Sequence, residues 1–318
     1  MLDPGALLPG DVLLYRGETC IAKAIRCFDN TKVNHAGLYL GGGLVGEALA
    51  DGVKAHPLDE SIADKKVWVY RHIDRPTDVT PVIRQAELVL AEGNAYGYEQ
   101  ILLLAMLAIS RRIALPGPAS VFLRGVLDRS VALLVGYRSQ SRQPMICSEF
   151  VYRCYDQALP EARDVFCVEI MGRTYSTGLS SSRWSSIHPL SLLTLFSPSS
   201  PLNAFLPRSP KDLDNRPDDV TDAGVEDMAR EYLKQLELPL IDEDPKGTEL
   251  ESIRTSLFRF ASVLHLALTG DPLEPGLGMR ALGADSPKFK ALLGVEADFV
   301  TPGDLLKSPS FYEVGQLA

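Results

Sequence analysis

The stretch that most constrains the fold is Asn34-His35-Ala36-Gly37-Leu38-Tyr39-Leu40, which runs through Gly41-Gly42-Gly43 into Leu44-Val45-Gly46-Glu47-Ala48. Ala36, Leu38 and Leu40 alternate with His35, Gly37 and Tyr39, the period-two pattern of a half-buried strand. The glycines turn the chain into a second strand. The pair puts one imidazole, His35, and one carboxylate, Glu47, on neighbouring strands.

Flanking segments extend this hairpin. Residues 11–15 read as a first strand and residues 21–28 as a short amphipathic helix with Cys20 and Cys27 on or beside it, both of the small core-thiol type. Asp51-Gly52 is a hairpin signal, and Val67-Trp68-Val69-Tyr70-Arg71 is a further strand. A small antiparallel sheet is therefore predicted over residues 11–72. His56, just before Pro57, reads as a solvated or capping residue, and His72 as structural.

Helical patterns take over from residue 81. Residues 81–110 form one long helix or two in series, with a break at Ala95-Tyr96-Gly97-Tyr98-Glu99. The apolar run 101–109 is too short to span a bilayer, which takes about 20 residues. It reads as a buried helix or one lining an apolar groove. Residues 112–143 are a connector with a helical piece at 121–134.

The next helix opens on Pro144-Met145-Ile146-Cys147-Ser148-Glu149-Phe150-Val151. Phe150, Val151, Cys154 and Ala158 recur at helical spacing, and Pro144 suits a start near Ile146. Cys147 then sits in the first turn, where the macrodipole and the first N–H groups favour a thiolate. Packing like an alanine is the default for any single cysteine, and a base elsewhere in the chain changes that. His35 supplies such a base, and Glu47 is placed to hold its tautomer.

These segments carry a resemblance. Gly10-Asp11-Val12-Leu13-Leu14-Tyr15, His35-Ala36-Gly37-Leu38-Tyr39-Leu40-Gly41, Gly46-Glu47-Ala48 and Ile146-Cys147-Ser148-Glu149-Phe150-Val151 resemble the circularly permuted papain-like amidases. These are the YaeF/YiiX-like branch of the NlpC superfamily, relatives of lecithin retinol acyltransferase. The order is His, then an acidic or polar partner, then Cys, and the likeness covers about residues 8–160. It implies an α+β permuted papain-like fold with Cys147 as nucleophile, His35 as base and Glu47 as orienting group. Asn34 stands where relatives often carry Ser. The Tyr-Gly-Tyr break before an apolar helix extends the likeness across the middle of the chain.

Beyond Pro160 the composition changes. Residues 175–210 are rich in Ser and Pro and enclose the apolar run 184–196, which reads as a strap on the core or a lid. Residues 211–245 are acidic, with a helix at 222–236 and carboxylates read as a solvated face rather than a calcium loop. Residues 248–268 form an amphipathic helix with Leu250, Ile253, Leu257, Ala261, Leu264 and Leu268 on its apolar stripe. The segment from Phe299 to Pro309 is similar to the one that closely follows the cysteine helix in permuted amidases. The expected organisation is a catalytic domain at 1–174, a largely helical insertion at 175–298 that caps the cleft or docks a protein partner, and a return segment at 299–318.

The whole composition narrows the function classes. The formal charge of -9 argues against nucleic acid as a main partner. The five cysteines form no CxxC pair, which disfavours a structural zinc and fits a reducing compartment. The N-terminus carries no secretory signal pattern, so synthesis for the cytoplasm is expected, with signal-independent export, as of an effector, left open. The chemistry expected is a covalent acyl transfer through Cys147, His35 and Glu47, with no metal or organic cofactor. Tyr15 on the first strand is the candidate oxyanion donor beside the Cys147 N–H. The scissile bond is either an amide in a peptide or isopeptide or an ester in a phospholipid. The runs 101–109 and 184–196 incline the reading towards an acyl-lipid groove. An acyltransferase, or a non-catalytic interaction module on the same scaffold, is the alternative.

Overall fold

A computed structural model describes residues 1–49, 52–74, 78–92, 99–110, 117–138, 145–158, 166–170, 173–174, 183–184, 220–236, 252–253, 255–256, 259–260, 263 and 300–317. Strand β1 (Val12–Arg16) is central to an antiparallel sheet. It pairs with β2 (His35–Gly41) on one side and β5 (Lys66–His72) on the other. Strands β3 (Leu44–Leu49) and β4 (Gly52–Pro57) extend the β2 edge. Helix α1 (Cys20–Asp29) separates β1 from β2, and the short α2 (Leu58–Ile62) precedes β5. Gly41, Gly42 and Gly43 have φ values of 96°, 61° and 78°, so the β2–β3 turn uses the left-handed backbone that glycine adopts without strain.

A helical layer follows: α3 (Thr80–Glu92), α4 (Glu99–Ser110), α5 (Gly117–Arg138) and α6 (Cys147–Asp156). A two-residue ladder joins β6 (Arg173–Thr174) to β7 (Arg183–Trp184), and α7 (Asp222–Leu236), α8 (Pro302–Lys307) and β8 (Phe311–Leu317) complete the described elements. The sheet is six-stranded in the order β4-β3-β2-β1-β5-β8. The architecture is α+β.

Alternation along β1 sorts two cores. Val12 and Leu14 face the helices together with Ala36, Leu38 and Ala48. Leu13 and Tyr15 face the other way, with Tyr39, Val45, Val67 and Val69. Helix α6 packs on β2 and β3 from the helical side. A Cβ on Gly46 would lie 3.0 Å from Phe150 Cζ, so the missing side chain lets the helix approach β3. Helix α1 ends on Asn30 in the left-handed conformation, and the buried Asp29 carboxylate accepts from Thr301 Oγ1 at 3.0 Å and Gly303 N–H at 2.8 Å. That pair of bonds anchors α8. Strand β8 then adds to β5, an edge strand the sequence pattern did not predict. Its alternation is broken by a register shift opposite Val69 and Tyr70.

Several expectations change. The helix expected at 222–236 is present, but its acidic face is not simply solvated. Glu226 Oε1 accepts from Cys20 N–H at 2.6 Å and Oε2 from Ile21 N–H at 3.1 Å, capping α1, while Asp222 pairs with Arg129 at 2.7 Å. Val225, Ala229 and Tyr232 share the continuous core with Val12 and Leu14, and the Tyr232 ring stacks on Phe122 at 5.3 Å. This part of the expected insertion is thus built into the main core. Of residues 248–268, the described ones are helical, with Ile253 and Phe260 buried in that same core. Cys27 is exposed rather than a core thiol, whereas Cys20 is half-buried. His72 is buried and stacks on Tyr155, the structural role expected. Residues 101–107 of α4 are all buried, so this stretch takes the first of its two expected roles, a core helix. The Tyr-Gly-Tyr break, nearly all of the 184–196 run and the 174/175 boundary lie outside the described residues.

Candidate active site

The sheet register brings His35 and Glu47 together. Tyr15 is opposite His35, and Gly37 is opposite Glu47, so Tyr15, His35, Gly37 and Glu47 share one face of the sheet, the face on which α2 places Ser61. His35 Nε2 lies 2.9 Å from Glu47 Oε1, and both residues are buried. Burial by itself raises the Glu47 carboxyl. The hydrogen bond and charge of His35, the Ser61 hydroxyl and the Lys65 charge outweigh it and hold the carboxyl below its ordinary range. Glu47 is therefore the anionic acceptor, and His35 Nε2–H donates to it. That bond fixes the ring orientation.

Gly37 is what lets these groups converge. A Cβ there would stand 3.0 Å from Glu47 Cγ and 3.1 Å from the Tyr15 hydroxyl. The Tyr15 hydroxyl is 2.6 Å from Ser61 Oγ, and the Glu47 charge acts on the phenol. Burial, the Glu47 charge and the charge of Cys147 push the Tyr15 phenol well above its ordinary range, although the Ser61 hydroxyl opposes them. A phenol held neutral keeps its proton, and its hydroxyl is hydrogen-bonded with Ser61. Tyr15, the expected oxyanion donor, has its hydroxyl against Ser61 Oγ on the side of the carboxylate. Ser61 and Lys65 were not anticipated. Nothing in Leu58-Asp59-Glu60-Ser61-Ile62 marks the serine, because its role arises from α2 packing on β3 and β4.

Cys147 is the first residue of α6 and is fully buried. The Ile146 N–H donates to Glu149 Oε2 at 3.2 Å, and the Phe150 N–H opens the helical ladder on the Ile146 carbonyl at 2.9 Å. The N–H groups of residues 147–149 therefore lie ahead of the i→i−4 ladder, where a helix favours negative charge. Ser148 Oγ donates to the Val300 carbonyl at 2.7 Å, tying the helix start to the return segment. The charge of Cys147 is the last of the causes that raise the Tyr15 phenol. Cys154, two turns along α6, is fully buried, and burial drives its thiol far up, so it stays protonated.

Among the described residues, no group of three or more His, Cys, Asp or Glu is arranged to hold a metal ion. Also among the described residues, no helix is long and apolar enough to cross a membrane. No family model matches the chain, and no curated protein matches it.

Proposed function

We propose that the chain is a thiol hydrolase that cleaves an acyl bond, amide or ester, through a thioester on Cys147. The observation that carries this reading is the buried His35–Glu47 pair at 2.9 Å, with Cys147 opening the helix packed on the same strands. A buried imidazole bonded to a carboxylate kept ionised is rotationally fixed, the orientation a general base needs.

In the proposed reaction His35 Nδ1 takes the Cys147 proton, and the thiolate attacks the carbonyl carbon. The oxyanion is met by N–H groups at the start of α6. The C–N or C–O bond breaks as His35 Nδ1 returns its proton to the leaving amine or alcohol. Water, deprotonated by His35, then attacks the thioester, releasing a carboxylic acid and restoring the thiol. Glu47 stays ionised and stabilises the imidazolium in both halves.

The resemblance to permuted papain-like amidases supports the same roles. Of the two features that favoured a lipid-sized groove, α4 is inside the core, so the amide and the ester stand level. Product mass spectrometry decides between them. Phospholipid vesicles and cell-wall peptide fragments are treated in one mixture with native protein or with Cys147→Ala. Fatty acid and lysolipid, or trimmed peptides, formed only by native protein identify the bond. Equal products with both proteins defeat Cys147 as the nucleophile, and none with either turns the reading to an acyltransferase or a non-catalytic interaction module.

A further inference from the structure

The support around Glu47 is more elaborate than orienting one imidazole requires. Its carboxylate bonds His35 on β2, and the paired Tyr15 and Ser61 hydroxyls, 2.6 Å apart on β1 and α2, lie beside it across Gly37. Lys54 is its register partner on β4, and Lys65 acts on it from the turn before β5. The Cys147 charge reaches the same cluster from α6. Lys65 Nζ donates to the Ser61 carbonyl at 2.8 Å and lies 5.4 Å from the Tyr15 ring centre. One lysine thus braces both residues that carry the hydroxyls.

We infer that Ser61 and Tyr15 are positioning residues, a paired hydroxyl clamp that keeps Glu47 aimed at His35 Nε2. The inference rests on the reading of Cys147 and His35 as the reacting pair. Glu47 has two oxygens, one of them occupied by His35. A buried carboxylate with too few donors is costly and relieves the cost by taking a proton or moving. With the two hydroxyls 2.6 Å apart, either proton can serve the carboxylate while the other hydroxyl closes the network. Ser61 is nearly fully buried on a five-residue helix, so its hydroxyl has no competition from solvent. Gly37 leaves the space in which the phenol and the carboxylate meet.

A purely structural clamp would alter stability alone. A positioning clamp also alters the imidazole. The test uses the full chain labelled at histidine, with the His35 side-chain resonances assigned by their loss in His35→Gln. In native protein the His35 ring is expected to carry its proton on Nε2 when neutral. In Ser61→Ala and in Tyr15→Phe its titration is expected to move to lower pH, because a weakened carboxylate supports the imidazolium less. Ser61→Thr, which keeps the hydroxyl, is expected to restore the native curve. Unchanged His35 curves and tautomer in both hydroxyl deletions, with circular dichroism showing folded protein, overturn the clamp. That failure is distinct from failure of the thiol reading, which the Cys147→Ala product comparison reports without reference to Ser61 or Tyr15.

Discussion

Glu226→Ala measures how firmly the 222–236 helix is joined to the sheet domain. The carboxylate receives the Cys20 and Ile21 N–H groups at 2.6 and 3.1 Å, both in the first turn of α1. Bonds to a charged acceptor are worth about 1.5–3 kcal/mol each, so the gross figure is about 3–6 kcal/mol. Two facts reduce it. The site is only part-buried, so water replaces some of the loss, and Thr19 still caps the Ala22 N–H at 3.1 Å. Lost helix caps cost about 0.5–2 kcal/mol. The expected loss is near the top of that range, about 2 kcal/mol, because two donors are uncapped at once. Urea denaturation followed by circular dichroism should show a lower midpoint with an unchanged slope. Glu231→Ala is the control on the same helix, since its carboxylate is 61% exposed and pairs with Lys234 at 3.6 Å. It should stay within about 0.5 kcal/mol of native. If Glu226→Ala also falls within that range, the cap does no energetic work and the helix is not joined to α1 as argued.

Gly37→Ala places a methyl 3.0 Å from Glu47 Cγ and 3.1 Å from the Tyr15 hydroxyl. Over-packing of about 1–3 kcal/mol outweighs the backbone gain of about 0.5–1 kcal/mol, and product formation should fall by more than the stability loss explains. Asp11→Ala removes the fully buried carboxylate that Arg71 grips through Nε and a second nitrogen, each at 2.7 Å, and should cost about 3–5 kcal/mol in denaturant. Glu47 has a depressed carboxyl, so its contribution to stability is complete above the ordinary Glu range, about pH 4.3, and is lost as pH falls through its folded value. The acid limb of thermal stability below about pH 4 should accordingly be shallower in Glu47→Gln than in native protein.

The sheet strands from β1 to β5 and the cysteine helix were legible because short-range patterns determine them. Alternation marked β2, glycines that tolerate positive φ marked its turn, and the stripe of Phe150, Val151 and Cys154 marked α6. His35 and Glu47 were legible because a two-strand hairpin fixes which residues share a face. Ser61 and Lys65 were not, since they reach Glu47 only through tertiary packing of a five-residue helix. Tyr15 was placed on the right strand, but its bond with Ser61 was not foreseen: alternation assigns a face but not which group the hydroxyl will find. Strand β8 was hidden by its irregular register and by distance in sequence from β5. The Glu226 cap escaped notice for the same reason, because a carboxylate in an acidic run gives no local sign of a helix terminus that begins at Cys20.

The most direct test of the account asks whether an acyl group passes through Cys147. Native protein, Cys147→Ala and His35→Gln are each mixed with p-nitrophenyl acetate, quenched in acid and measured as intact protein and as peptides by mass spectrometry. The account predicts a single acetyl group on the peptide containing Cys147 in native protein. It predicts none at that site in Cys147→Ala and slower formation in His35→Gln. Acetylation confined to other residues, with Cys147 unmodified while nitrophenol is still released at the native rate by Cys147→Ala, would contradict it.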